Sequence, residues 1–508
     1  MLSKILSATT AGLSGTLVEV EVDLARGLPS FTIVGLGDTA VQESKERVRS
    51  AIKNSGVEFP PHRITINLAP ADIKKIGPSF DLPIALGILN SLGLVDQTKL
   101  QSSLVIGELA LDGKLRPVDG VLPLVIFAQE KGYQRILLPR LNATEAALIP
   151  DVEIIPLQDL NELVGYLNGS LEIKPFPPID LSCLEQVGEY ESDFAQIKGQ
   201  EQAKRALEIA AAGAHNLLLS GPPGSGKTML AKAFRTILPR LTLAETLEVT
   251  KIYSVAGLLS PEKPLVTTRP FRVVHHTASA VSVVGGGQNP KPGEISLAHK
   301  GVLFLDEFAE FPPSVLQALR QPLEDGQITV TRAQGAVTFP ARFTLIAAMN
   351  PCPCGFATDT EKVCQCSPTK IIKYQSKISG PLLDRIDLFV EAPRVKIDKL
   401  TGEIKSESSR EIQKRVQQAR DRQLDRFKNT SLTSNGEMGA RELKNFCTLG
   451  EQGQTLMRQA ISQFGLSARA YYRVIKLART IADLANEAQI QTPHLAEALQ
   501  YRKQENRY

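Results

Sequence analysis

Eight residues, Gly221-Pro222-Pro223-Gly224-Ser225-Gly226-Lys227-Thr228, follow the pattern G-x-x-x-x-G-K-[ST] of a phosphate-binding loop. The glycines allow successive backbone N–H groups to turn inward around phosphate oxygens. In this pattern Lys227 reaches the outer phosphates of a nucleoside triphosphate, and the Thr228 hydroxyl ligates Mg²⁺. Downstream, Gly301-Val302-Leu303-Phe304-Leu305 runs straight into Asp306 and Glu307. Asp306 belongs on the metal side of such a site, and Glu307 is the base that orients and deprotonates the attacking water. The plainer alternative is a surface Asp-Glu pair opening a helix. A third group is Cys352-Pro353-Cys354 with Cys364-Gln365-Cys366. Four thiolates suffice for a tetrahedral structural zinc site. C-x-C spacing is less usual than C-x-x-C, and four reduced, unliganded thiols are the alternative.

A phosphate loop works only between a strand and a helix. The apolar run Asn216–Ser220 predicts the strand, and Met229–Ile237 the helix. Residues 301–305 and Thr344–Met349 read as further buried strands of a parallel sheet, the second ending at Asn350. Two alternating runs in Ile328–Phe339 flank a turn containing Gly335, which predicts a hairpin with Arg332 near its tip. Arg332 can meet phosphates there; an ordinary surface hairpin is the alternative. Strands are expected over Gly15–Leu24, Ser30–Leu36 and Arg63–Leu68, with a helix over Thr39–Asn54 burying Val41, Val48 and Ile52. Ser408–Lys428 predicts an amphipathic helix with Ile412, Val416, Ala419, Leu424 and Phe427 inward. Its seven basic and three acidic residues suit a solvated face better than a nucleic-acid contact. Ala440–Arg502 carries further helical patterns, the last opening with Thr492 as cap and Pro493 at the first helical position. The glycine-rich insert from His275-His276 to Gln288 has no cysteine or carboxylate close in sequence, so the two histidines read as a solvated pair.

The chain has 508 residues, 43% hydrophobic and 22% charged, room for about three domains. Its net charge of +4 is too small to imply nucleic acid. No run of about 18 apolar residues predicts a membrane span. The first residues lack an apolar leader, so a cytoplasmic protein is expected. Six cysteines in that setting argue against a disulfide framework, and Cys183 and Cys447 read as isolated structural residues.

Lys75-Ile76-Gly77-Pro78-Ser79-Phe80-Asp81 resembles the catalytic serine segment of Lon-type proteases, and Gly107-Glu108-Leu109, Gly113-Lys114 and Pro117-Val118-Asp119-Gly120 resemble the segment that follows it. Ile136–Pro139 and Asn142 extend the likeness over most of 20–145. Ser79 stands in the serine position, but Leu122 occupies the lysine position and cannot take a proton. The resemblance therefore implies a Lon-like (S5-like) α+β domain over 1–170 that is inactive as a peptidase. Proline-rich and acidic residues predict a linker over 171–196.

Lys198-Gly199-Gln200 and the alanine-rich Ala203–Ala212 resemble the opening of AAA+ ATPases. Asn350 matches their sensor 1, which helps place the lytic water. Ser379-Gly380-Pro381-Leu382-Leu383-Asp384-Arg385 resembles the arginine-finger segment of Mg-chelatase and minichromosome maintenance ATPases. Ser467-Ala468-Arg469 resembles sensor 2, whose arginine touches the nucleotide. For these three the plainer alternatives are a turn asparagine, an ion pair of Arg385 with Asp384 or Asp387, and a surface arginine. In this order the motifs resemble the Mg-chelatase-like AAA+ group over nearly the whole chain. The fold class implied is α/β: a P-loop AAA+ core over 197–395 with the four-cysteine insert at 352–366, and a C-terminal helical lid over 396–508. The group implies ATP and Mg²⁺ at subunit interfaces of a homo-oligomer, usually a hexamer. Helicase-like members carry a hairpin before sensor 1 that enters the ring pore, which implies branched or single-stranded DNA as partner and no membrane. A chelatase-type ATPase subunit and an ATP-gated assembly factor without DNA contact are the alternatives.

Overall fold

The computed structural model describes residues 2–179, 192–287, 290–332, 335–395 and 406–502, and the side chains of all of these except 332 and 335. Cys183 and the acidic part of the expected linker lie outside the described residues. Among the described residues no helix is long and apolar enough to cross a membrane.

The N-terminal unit begins with a strand that the sequence did not announce. Leu2–Ala11 pairs antiparallel with Ser14–Ala25, which pairs with Arg63–Ala69; Ser30–Val34 adds to Arg63–Ala69 in parallel. The first strand buries Ser3, Ser7 and Thr9 beside Ile5, so its inner face is too polar to show an apolar alternation. Ser3 finds a partner for its hydroxyl in Asn90 Nδ2 at 2.6 Å. Helix Thr39–Asn54 is capped by Asp38, which accepts from Val41 N at 3.0 Å, and buries Val41, Val48 and Ile52. Helix Asp81–Ser91 starts at a fully buried carboxylate held by Arg47 through Nε (2.6 Å) and Nη2 (3.1 Å). A second sheet of three parallel strands, Ser103–Val105, Arg135–Pro139 and Glu153–Leu157, completes the unit. Residues 171–179 lie back on it: Phe176 bridges Ile154, and Ile179 N donates to Ala147 O. Phe194 already belongs to the core of the next unit.

That next unit is built on five parallel strands in the order Phe271–Val274, Val302–Leu305, Thr344–Met349, Leu217–Ser220, Leu388–Glu391. The central three are almost wholly buried, which explains why they read as continuous apolar runs. The helix after the phosphate loop starts at Lys227, two residues earlier than expected, and gives way to a 3₁₀ turn at Arg235–Ile237. Ser408 and Glu411 form a capping box at the head of helix Ser409–Arg426. Its buried face includes Arg420 and Gln423, whose side chains bond Ala211 and Ala212 carbonyls at the end of helix Glu201–Gly213; Leu424 is only half-buried. Helices Glu451–Phe464, Ala468–Leu484 and Thr492–Gln500 pack on the same core. Gln491, not Thr492, caps the last of these, its N–H donating to His494 Nδ1 at 3.0 Å.

The two units touch through helices Val121–Lys131 and Leu243–Ala256. Leu122, in the position a Lon-type site gives to lysine, is buried and apolar, and its backbone N–H donates to Glu145 Oε1 at 2.9 Å. The same oxygen accepts from Ser254 Oγ at 2.5 Å, while Gly120 N donates to Ser254 O at 3.0 Å. Burial raises the Glu145 carboxyl above its ordinary value, against the lowering effect of the Ser254, Leu122 and Asn142 hydrogen bonds. A carboxyl raised on folding contributes stability that is full below its unfolded pKa and lost as pH rises through its folded pKa. Urea unfolding followed across pH should therefore show a contribution that fades on the alkaline side and is absent in Glu145→Gln, which keeps the acceptor and loses the charge. Glu145→Ala leaves two buried donors unpaired and should cost about 1–3 kcal/mol at any pH.

Candidate active site

In a parallel sheet all strands end on the same side, and here three of them end in the expected chemistry. Leu217–Ser220 runs into the phosphate loop, Val302–Leu305 into Asp306 and Glu307, and Thr344–Met349 into Asn350. The pairing of Leu217–Ser220 with Ile346–Met349, and of Val302–Leu305 with Thr344–Ala347, sets these groups side by side. Gly224 and Gly226 have φ of +77° and +87°, a backbone that bulkier residues adopt only with strain. Gly221 is needed for closeness: a Cβ there would stand 2.1 Å from Ala392 O.

Lys227 Nζ donates to Gly221 O (2.7 Å), Pro222 O (2.9 Å) and Asn350 Oδ1 (3.3 Å). Burial pushes its ammonium below the ordinary lysine value, with Asp306 pulling the other way. Thr228 Oγ1 donates to Asp306 Oδ2 at 2.7 Å, so the two expected Mg²⁺ groups are in contact. Asn350 is thus joined to the site and is not a free turn residue. Gln200, at the head of helix Glu201–Gly213, donates to Ser225 O (3.1 Å) and Pro393 O (2.6 Å) and braces the loop from behind. Among the described residues, Ser225 Oγ and Gln200 Oε1 are buried without a hydrogen-bond partner, two polar atoms that a polar ligand would satisfy.

Glu307 has a left-handed backbone, φ +53°, and its carboxylate meets His276 Nδ1 at 2.8 Å. This corrects the expectation of a solvated histidine pair: His276 has a carboxylate partner, and the His275 ring lies 4.2 Å from it at a tilt of 33° while bonding Thr277. The histidine insert is folded as well, with helix Ala280–Val284 and a ribbon pairing Gly285–Gly286 with Lys291–Pro292. The signal was a register, not a motif. Val274 pairs with Leu305, and both His276 and Glu307 lie two residues beyond that pair.

Arg385 and Arg469 are elsewhere. Arg385 precedes Leu388–Glu391, whose start aligns with Leu217, so it lies at the opposite end of the sheet from the phosphate loop. The four residues of that strand span roughly 13 Å. Arg385 is ion-paired, but with Glu324 and not with Asp384 or Asp387. Arg469, expected at the nucleotide, stands 3.9 Å from Asp384 and shares a cleft with Arg385, Arg473 and Lys476. Arg473 Nη1 donates to Ile386 O at 2.5 Å, holding the loop that carries Arg385. Arg332 is the last residue of strand Gln327–Arg332, paired with Gly335; its side chain lies outside the described residues.

The four cysteines converge. Their sulfurs all lie within 4.8 Å of one another, with Cys352–Cys354, Cys354–Cys364 and Cys352–Cys364 separations of 3.3, 3.6 and 3.7 Å. A tetrahedron of sulfurs at 2.3 Å from a metal has edges of about 3.8 Å. Cys447 is buried beside Met438, apart from this group.

A phosphate loop, a paired threonine and aspartate, a glutamate and an asparagine on adjacent parallel strands, with C-terminal helices packed on the same core, define an AAA+-type P-loop ATPase. Three family models match in succession: Subunit ChlI of Mg-chelatase over residues 20–142, Magnesium chelatase subunit ChlI over 193–400, and its C-terminal region over 406–502. Competence protein ComM of Haemophilus influenzae is 44% identical over 506 residues, which cover 99% of this chain and 97% of the relative. The uncharacterized protein YifB of Escherichia coli is 41% identical over 502 residues, with the same coverage of both. Lon protease 2 of Bacillus subtilis is 28% identical over 185 residues, 32% of each chain. The chain belongs to the Mg-chelatase-like ATPase family that includes ComM and YifB.

Lys227→Ala should weaken nucleotide binding at least about 100-fold, since it removes the buried cation at the phosphates. Glu307→Gln should keep that affinity within about threefold and lose turnover by about 100-fold or more. Equilibrium binding of a fluorescent ATP analogue beside steady-state hydrolysis separates the two.

Proposed function

We propose that this protein is a cytoplasmic ring motor, a hexamer, that hydrolyses ATP to move on branched or single-stranded DNA, with branch migration during natural transformation or recombination as its task. The observation that carries the proposal is the division of the chemistry between two ends of one sheet. Lys227, Thr228, Asp306, Glu307 and Asn350 gather at the carboxyl ends, while Arg385 and Arg469 lie at the amino ends. Neither arginine can serve its own phosphate loop, and both suit the loop of a neighbouring copy in a closed ring.

ATP and Mg²⁺ fit the residues present. Lys227 is a buried cation with only neutral oxygens on it, Thr228 and Asp306 are already adjacent, and Ser225 and Gln200 each present an unmatched polar atom. ATP supplies the phosphoanhydride to be broken, with Mg²⁺ screening its charge. Gly221 to Gly226 cradle phosphates by backbone N–H groups, Lys227 offsets their charge, and Thr228 and Asp306 hold the metal. Glu307, once released from His276, takes a proton from water that Asn350 helps to place. Arg385 of the neighbour supplies positive charge at the outer phosphate, and Arg469 assists from the same face. The sulfur tetrahedron suits one structural zinc ion.

The DNA half of the proposal rests on the hairpin Gln327–Pro340, which lies in the chain between Asp306 and Asn350, after helices Pro313–Ala318 and Arg320–Asp325. A nucleotide-dependent shift at either end therefore reaches Arg332. The Haemophilus relative bears a competence protein's name, in keeping with a role on incoming DNA. A second reading has its own support, because the matched family models are those of a magnesium chelatase subunit.

Two experiments test these statements. Arg385→Ala rings should bind ATP and hydrolyse it poorly, and mixing them with Lys227→Ala subunits should restore part of the activity, because some interfaces then pair an intact loop with an intact arginine. No recovery in verified mixed rings removes the shared site. Wild-type rings should bind DNA without sequence preference, weaken steeply with salt as counterions compete, and hydrolyse ATP faster when bound. Arg332→Ala should lower DNA binding and leave basal hydrolysis within about twofold, since phosphate contacts add separately from the ATP pocket. Failure of DNA to bind or stimulate at low salt, with ATP-dependent metal insertion into a porphyrin in its place, establishes the chelatase reading.

A further inference from the structure

The four-cysteine insert is built into the wall of the nucleotide site. It begins two residues after Asn350, whose Oδ1 takes a hydrogen bond from Lys227. Gly355, inside the insert at φ +85°, lies against the phosphate loop so closely that a Cβ would stand 2.5 Å from Pro223 Cδ and 3.8 Å from Asn350 Cγ. The far side is tied down as well. Arg394 pairs with Asp359 (3.2 Å) and Glu361 (3.1 Å) of the insert. Arg394 follows directly on Ala392 and Pro393, which contact Gly221 and Gln200. Gln375 Nε2 closes the base by donating to Pro351 O at 3.0 Å. The insert therefore touches the loop directly at Pro223 and is tied through Arg394 to the segment that lies against Gly221, and its own shape is fixed by whatever holds Cys352, Cys354, Cys364 and Cys366 together.

We infer that a zinc ion on these four thiolates controls ATP turnover by fixing Asn350 and Pro223 in place, a role that rests on the zinc site proposed above and goes beyond structural support. Without the ion, four sulfurs within 4.8 Å lose the charge that holds them together, and the Gly355 turn, formed by Gly355 N to Cys352 O at 3.0 Å, loosens first. Asn350, one residue beyond the end of strand Thr344–Met349, then loses the backing that fixes its side chain, and Pro223 loses its contact with Gly355. Ligand-supporting contacts of this kind change activity by about 10–100-fold.

The test uses the full-length protein. Metal analysis of the reduced protein should give about one zinc per chain. Zinc removal with a chelator, and Cys364→Ser, should each lower turnover by about tenfold or more while affinity for a fluorescent ATP analogue changes by less than about threefold, and zinc returned to the wild-type protein should restore its rate. Gly355→Ala, whose Cβ meets Pro223 and whose left-handed backbone is strained by any side chain, should lose turnover in the fraction that metal analysis shows to be zinc-replete. An absence of zinc defeats the metal assignment on which the inference stands. Full turnover after complete zinc loss, or wild-type turnover in zinc-replete Gly355→Ala, overturns the coupling while the zinc site survives. Loss of ATP binding in step with zinc loss also overturns it, since the ion then holds the fold and positions nothing.

Discussion

Lys227 is a cation taken out of water and left with neutral oxygens. Its ammonium touches two carbonyls of its own loop and the amide oxygen of Asn350, and burial pushes its pKa down. Such a group is expensive unless an anion joins it. The chain tolerates it because the loop around it is held from several sides at once: by Gln200 from behind, by Ala392 against Gly221, and by Gly355 against Pro223.

The parallel sheet turns that local fact into an architectural one. Parallel strands carry the phosphate loop, the carboxylates and Asn350 to one end, and leave Arg385, Asp384 and the cleft with Arg469 at the other. Arg385 and Arg469 meet carboxylates at that end, Glu324 and Asp384, and lie away from their own phosphate loop.

What the sequence revealed follows from how each feature is encoded. The phosphate loop, the apolar strands and the helix Thr39–Asn54 are local patterns, and they stand where spacing predicts. The convergence of four cysteines follows from one short insert. The pairing of His276 with Glu307 is different in kind, because 31 positions separate the two and only the register of Val274 with Leu305 unites them. The same is true of Leu2–Ala11, whose buried serines and threonine conceal a strand until its partner is known. Leu122 shows the converse. Its type excluded a lysine's chemistry, yet nothing local indicated that Glu145 beside it would bond the ATPase unit through Ser254.

Between the site residues the chain makes three excursions; two return to the carboxyl ends of the sheet and the third ends at Arg385 on the opposite side. From His276 to Asp306 it forms the ribbon Gly285–Pro292, from Asp306 to Asn350 the hairpin Gln327–Pro340, and from Asn350 to Arg385 the cysteine insert. The outer parts of the ribbon and the hairpin meet the N-terminal unit. Lys291 of the ribbon lies 3.3 Å from Asp119, and Val337 of the hairpin lies against Gly12, both in the N-terminal unit. These two contacts join the N-terminal unit to the excursions at points away from the phosphate loop. A domain with no base at Leu122 is thus joined to the ATPase unit by the ribbon and the hairpin as well as by Ser254.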